Sequence, residues 1–126
     1  MKNSLFSIFL FIILLVFLTY TDISFKNLCS EVILKCEEME KNIDSLSKEE
    51  NFEKAMDIYN LIENKGKLAA IYVNHLDYDV MLNEALKLTV YIERDDYGES
   101  DASLHLLKSS TEHMKELQVP NIENIF

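Results

Sequence analysis

Six residues, Asn74 to Asp79, read NHLDYD and gather a histidine, two aspartates and an asparagine in an otherwise bland chain. An imidazole and two carboxylates are what a divalent cation binds, and the same groups can move protons. His75, Asp77 and Asp79 are therefore the candidate residues for metal or acid–base chemistry. Their spacing argues against it. Metal sites on helices take ligands three or four positions apart, backed by others elsewhere. His105 and His113 stand eight residues apart, and no His-Glu-x-x-His or Glu-x-x-His pair occurs. Helix ends offer a second account, because short polar side chains satisfy free backbone groups there. On that account Asn74 and His75 close one helix, Asp77 caps the next, and Asp79 meets the positive end of its dipole. Every polar residue of the stretch is then used structurally, and NHLDYD is expected to turn the chain. No catalytic, cofactor-binding or metal residue is assigned.

The other reactive residues point the same way. Cys29 and Cys36 share one helical face but lie about 10.5 Å apart along its axis. A disulfide needs Cα atoms within about 7 Å, so one straight helix cannot pair them. They read as small core residues, with an intermolecular disulfide across a coiled-coil seam as the alternative. Two isolated glycines cannot build a phosphate loop. Tyr59, Tyr72, Tyr78 and Tyr91 are scattered, as half-buried helix residues are, rather than grouped into a ligand cage. The expectation is a protein that is not an enzyme and needs no cofactor.

The elements that position these residues are helices. The 126 residues contain two glycines and one proline, too few for many tight turns. Met1 to Asp22, MKNSLFSIFLFIILLVFLTYTD, holds an apolar run from Leu5 to Tyr20 that Ser7 and Thr19 barely interrupt. Leu5 to Thr21 rises about 25 Å as a helix, the lower end of what a bilayer core requires. The run is long for a cleaved signal peptide and no small-residue cleavage site follows it, so a retained signal-anchor is favoured over a cleaved one. Lys2 precedes the run and Asp22 follows it, which places the N-terminus in the cytoplasm and the rest outside the cell membrane, single-pass. The division expected is residues 1–21 as membrane anchor and 22–126 as an extracytoplasmic helical bundle.

Beyond the anchor, Phe25, Cys29, Val32, Cys36, Met39, Ile43 and Leu46 alternate in steps of four and three. That stripe predicts a helix from about Asp22 to Leu46, continuous or not with the membrane helix, and suits a bundle or a short coiled coil between two copies. Ser47 and Glu50 have the spacing of a capping box, so a second helix begins there. It carries Phe52, Ala55, Met56, Tyr59 and Ile62, then Ala69, Ala70, Val73 and Leu76. Gly66 falls within this stripe, either ending the helix after Asn64-Lys65 or letting a neighbour come close. Because the phase is kept, the unbroken helix is preferred. A third helix from Asp77 bears Tyr78, Met81, Leu82, Ala85, Leu86, Leu88 and Ile92, with Val90 widening the band, and should lie between neighbours. After the polar joint Glu93 to Glu99, Asp96 and Glu99 cap a last helix with Leu104, Leu107, Thr111, Met114 and Leu117. Pro120 ends it. The tail PNIENIF either docks Ile122, Ile125 and Phe126 on the bundle or serves as a recognition segment. Short joints favour antiparallel neighbours. The fold class is all-α: one N-terminal transmembrane helix followed by an antiparallel bundle of about four helices.

Charge narrows the partners. Every acidic residue lies beyond Tyr20; without Lys2, 11 basic and 22 acidic residues leave a net charge of −11. Such a surface repels phosphate backbones, which excludes nucleic acid as an expected partner.

With these elements in order, the chain resembles Domain of Unknown Function family 4363, small membrane-anchored helical proteins of clostridia and related Firmicutes. The resemblance rests on the lone apolar N-terminal segment, the His-x-x-x-Asp of NHLDYD, the helix ending YIERDD, and Asn124-Ile125-Phe126 at the terminus. Where the family often has an aromatic before the histidine, this chain has Lys65-Gly66-Lys67 and no tryptophan, a departure that bears on packing around the second helix. The resemblance implies no established activity. It also implies an accessory role, since relatives are encoded beside multi-pass membrane proteins. The functional expectation is a non-catalytic interaction module with membrane lipid as one partner and a membrane protein or a second copy as the other. A small-ligand or cation-sensing ectodomain is the alternative. A metal-dependent enzyme using His75, Asp77 and Asp79 comes last.

Overall fold

The computed structural model describes residues 1–67 and 75–117. Its four helices among those residues are α1 Lys2–Asn42, α2 Lys48–Gly66, α3 His75–Glu93 and α4 Tyr97–Leu117. Each packs on two neighbours, closing the ring α1–α2–α3–α4. Ion pairs set the directions. Glu31 meets Lys65 at 3.2 Å and Glu38 meets Lys54 at 2.9 Å, so residue numbers rise along α1 as they fall along α2. The fold is all-α, an antiparallel bundle.

α1 is continuous from the apolar leader into the bundle and, at 1.5 Å per residue, about 60 Å long. Its two halves differ in what surrounds them. Leu5 to Phe17 are exposed, whereas Phe25, Leu28, Cys29, Val32, Cys36 and Met39 are no more than 2% exposed. The stripe predicted for a bundle or a coiled coil is thus covered by helices of the same chain. α1 stops at Asn42 rather than Leu46, because the Asn42 carbonyl accepts N–H bonds from both Ser45 and Leu46 and folds those residues into a turn.

The capping box at Ser47 forms. Glu50 N–H donates to Ser47 Oγ at 3.2 Å, and the Ser47 N–H donates to Glu50 Oε2 at 3.3 Å. Asn51 ties the turn down, its Nδ2 donating to the Ile43 carbonyl at 2.9 Å. α2 buries Ala55, Ile58 and Ile62, while Met56 and Tyr59 are only half-buried. Ile58, absent from the expected stripe, is at its centre.

The preferred unbroken second helix is corrected. α2 ends at Gly66, and Leu76 belongs to α3. Gly66 has no positive φ, so it does not act as a left-handed cap. Its missing side chain serves instead to admit Tyr78 of α3, the close approach offered as the glycine's other use. Ala69, Ala70, Val73 and Asn74 lie outside the described residues, as do Pro120 and the tail positions Ile122, Ile125 and Phe126.

α3 lies between α2 and α4 and buries Tyr78, Met81, Ala85, Leu88 and Ile92. Its apolar band is narrower than expected, since Leu86 is exposed. Its C-terminus is a Schellman turn: Asp96 N–H donates to the Tyr91 carbonyl and Asp95 N–H to the Ile92 carbonyl, with Asp95 at φ 57°. Asp96 then serves the next helix, its Oδ1 accepting from Glu99 N–H at 3.2 Å. Along α4, Leu104, Leu107, Thr111 and Met114 are buried, while Leu117 is exposed, contrary to the stripe expected.

Candidate functional site

The sequence candidates are not drawn together at a corner between two helices. His75 and Asp77 both lie in the first turn of α3, which corrects two expectations: His75 does not close the preceding helix, and Asp77 is not an N-cap. α3 begins at His75, ahead of both aspartates, so neither of them stands at its boundary. Asp77 is half-buried and Asp79 exposed. Two positions apart on a helix they project about 200° from one another, on different sides. The His75 side chain lies outside what the structure describes. Among the described residues no group of three histidine, cysteine, aspartate or glutamate side chains is placed to hold a metal ion.

The residue of NHLDYD that the structure uses is Tyr78. It is 8% exposed, and its hydroxyl donates to the Ile62 carbonyl at 3.2 Å. Burial pushes its phenol above the ordinary tyrosine value, with further upward contributions from the negative charges of Glu63 and Asp79.

The thiols are sealed. Cys29 and Cys36 are unpaired and fully buried. Burial raises both to about 12; nearby Lys115 slightly opposes this at Cys29, and Glu40 adds to it at Cys36. Neither is placed to bridge to a second copy or to act as a nucleophile.

A polar cluster joins α1 to α4, and nothing local in the sequence marks it. Lys108 Nζ lies 3.2 Å from Glu40 and 3.8 Å from Glu37, and His105 Nδ1 is 3.1 Å from Glu40 Oε1. The bond to Glu40 raises the Lys108 ammonium, against the lowering effect of desolvation. The cluster holds α4 in register against α1.

At the end carrying both short reversals, a small cleft lies between Ile43, Asn51, Ile92, Asp96, Tyr97 and Ser100. It is edged by the Lys48–Asp95 ion pair at 3.1 Å. The helix N-termini beside it are already capped by Ser47 and Asp96, so they offer an anion little. Asn51 Oδ1 is buried without a protein partner, and the space suits a bound water better than a substrate.

What remains is the leader. Lys2–Asn42 is long and apolar enough, by length and composition, to cross a membrane, and that apolar window is 6% buried. A helix of this kind suits a membrane anchor or a signal sequence. Exposed leucine, isoleucine and phenylalanine side chains over four turns form the largest run of exposed apolar residues among the described residues.

A family described as Domain of unknown function (DUF4363) matches residues 19–125. The chain belongs to the DUF4363 family. The match begins at the last turn of the exposed leader and takes in the described bundle, so the DUF4363 unit corresponds to the packed helices. No curated protein and no solved structure matches the chain.

Proposed function

We propose that this DUF4363 protein is a non-catalytic accessory module: residues 2–20 anchor it in the cell membrane, and the acidic bundle stands on the outer face to engage a membrane protein or a second copy. The observation that carries this reading is the exposed apolar half of α1 running unbroken into a packed helical bundle, with ion pairs such as Glu38–Lys54, Glu31–Lys65 and Glu40–Lys108 joining its helices. A surface so constituted offers shape and negative charge. The orientation follows from Lys2 before the apolar run and Asp22 after it.

Photo-crosslinking of the full chain in native membranes tests the reading. A cross-linker at exposed Leu34 or Leu106 should give one discrete adduct, either a membrane protein or a second copy. Absence of any adduct from several exposed positions on all four helices counts against it. Recovery of the chain in the soluble fraction, without its leader, defeats it. Zinc or manganese uptake by calorimetry that disappears in His75→Ala would instead favour the metal-dependent reading.

A further inference from the structure

The outer side of α1 carries apolar residues that the core does not use. Leu34 stands two positions from both Val32 and Cys36, so it points about 160° away from each of these buried residues. It is 65% exposed, and Tyr20 and Ile23, at 65% and 53%, lie on the same side. With exposed Asn27 and half-buried Ser30 they form a series, Tyr20, Ile23, Asn27, Ser30 and Leu34, in alternating steps of three and four. The same steps continue down the exposed leader through Val16, Ile13, Phe9 and Phe6. This is a second heptad seam, about 42 Å long, back to back with the stripe that builds the core. It ends at Leu34, because the next position holds Glu37, which lies 3.8 Å from Lys108 of α4. Within the leader every face is apolar, so the residues that discriminate are those from Tyr20 onward.

Those residues suit a second copy of the same chain. Two copies anchored by residues 2–20 cross one bilayer in the same direction and to the same depth, so their α1 helices run parallel and level. Asn27 then faces its own counterpart, and a carboxamide, being donor and acceptor at once, pairs with itself. A single asparagine at such a position specifies register and strand number in parallel coiled coils. The flanks agree. Lys26 and Glu31, five residues apart on opposite sides of the seam, hold the places at which parallel strands exchange ion pairs, and two-fold symmetry makes that contact twice. In their own chain they meet Asp22 at 2.9 Å and Lys65 at 3.2 Å. An ammonium donates three bonds and a carboxylate accepts several, so each group can serve a second partner.

We infer that the outer side of α1 is a homodimer interface, with Tyr20, Ile23, Asn27 and Leu34 meeting their counterparts along a parallel two-stranded coil that runs out of the bilayer. This rests on the anchor reading proposed above and selects a second copy, rather than a membrane protein, as what this side of the module engages. The two bundles stand on opposite sides of the coil, since each packs on the far face of its own α1.

Oxidative cross-linking of the full chain, at high dilution in phosphatidylcholine vesicles, tests the interface. The native chain is the blank, because Cys29 and Cys36 are buried. Ile23→Cys, Asn27→Cys and Leu34→Cys should each give a disulfide-linked dimer several-fold faster than Leu86→Cys and Leu106→Cys, which are exposed on α3 and α4. Adding Leu34→Glu to the Ile23→Cys chain sets like charges against each other in the seam. It should slow that dimer several-fold at an unchanged melting temperature, since Leu34 packs on nothing in the core. Equal rates at all five cysteine positions, or no effect of Leu34→Glu, with the chain retained in the vesicles after an alkaline carbonate wash, would make the seam wrong and leave the anchor standing. Release of the chain by that wash would overturn both.

Discussion

The ring of Tyr78 fills the space that a side chain on Gly66 would need. A Cβ at Gly66 would lie 3.0 Å from Tyr78 Cζ and Oη, and closer still to Cε2. The ring cannot easily yield, because it is buried and its hydroxyl is bonded to Ile62. One residue from the sequence motif that suggested chemistry is thus a structural clamp between α2 and α3.

Gly66→Ala should therefore destabilise the fold by about 1–3 kcal/mol, the usual cost of overpacking. The full chain's melting temperature, followed by circular dichroism in vesicles, would drop. Tyr78→Leu in the same chain should remove much of that penalty, and the double-mutant cycle measures the coupling. Additive effects would mean the two residues do not touch.

Asp95 makes the opposite case. It holds a left-handed conformation that disfavours residues with a Cβ, at a position where glycine is the common choice. Its surface ion pair with Lys48 is worth at most about 1 kcal/mol. Asp95→Gly should leave stability unchanged or raise it by up to about 1 kcal/mol. A loss of 2 kcal/mol or so would show that the ion pair matters more than surface pairs do.

The thiols give a pH prediction. Each cysteine is raised from 9.0 to about 12 on folding. Above the unfolded value the unfolded chain loses protons that the native state keeps, so stability is complete below pH 9 and declines toward pH 12. Each thiol contributes on the order of 1 kcal/mol per pH unit in that window. Cys29→Ala with Cys36→Ala should flatten the alkaline decline, even though the filled core is lost. An alkaline slope equal to that of the native chain would show that the thiols do not titrate on unfolding. At neutral pH a thiol reagent should label neither cysteine until the protein unfolds.

Glu38 gives the complementary acid prediction. Its hydrogen bond to Lys54, aided by that ammonium's charge, holds the carboxyl below the ordinary glutamate value. The contribution is present above the unfolded value and lost as pH falls through the folded one. Glu38→Gln should bring the melting temperatures at pH 7 and pH 3 closer together. An unchanged gap between them would show that this pair contributes nothing measurable.

Much of the bundle was legible because its signals are local. The stripe from Phe25 to Met39, the Ser47–Glu50 box and the Asp96 cap each need only four residues or a fixed period, and each stands as expected. The α2 boundary was not legible. Helical phase continues past Gly66, and what distinguishes the glycine is an aromatic ring twelve residues away, brought over by folding. NHLDYD was assigned to a corner because aspartates favour caps, but α3 begins at His75, ahead of both. The Glu40–His105–Lys108 cluster joins residues more than sixty positions apart, and no spacing within one helix foretells such a pairing.

The unbroken course of α1 has a mechanical consequence. One hydrogen-bonded shaft joins the greasy leader to Met39 with no hinge residue between, since α1 contains neither glycine nor proline. Tilt or torque applied to its first half is therefore delivered to the packed half as rigid rotation, and the attitude of the bundle follows that of the leader.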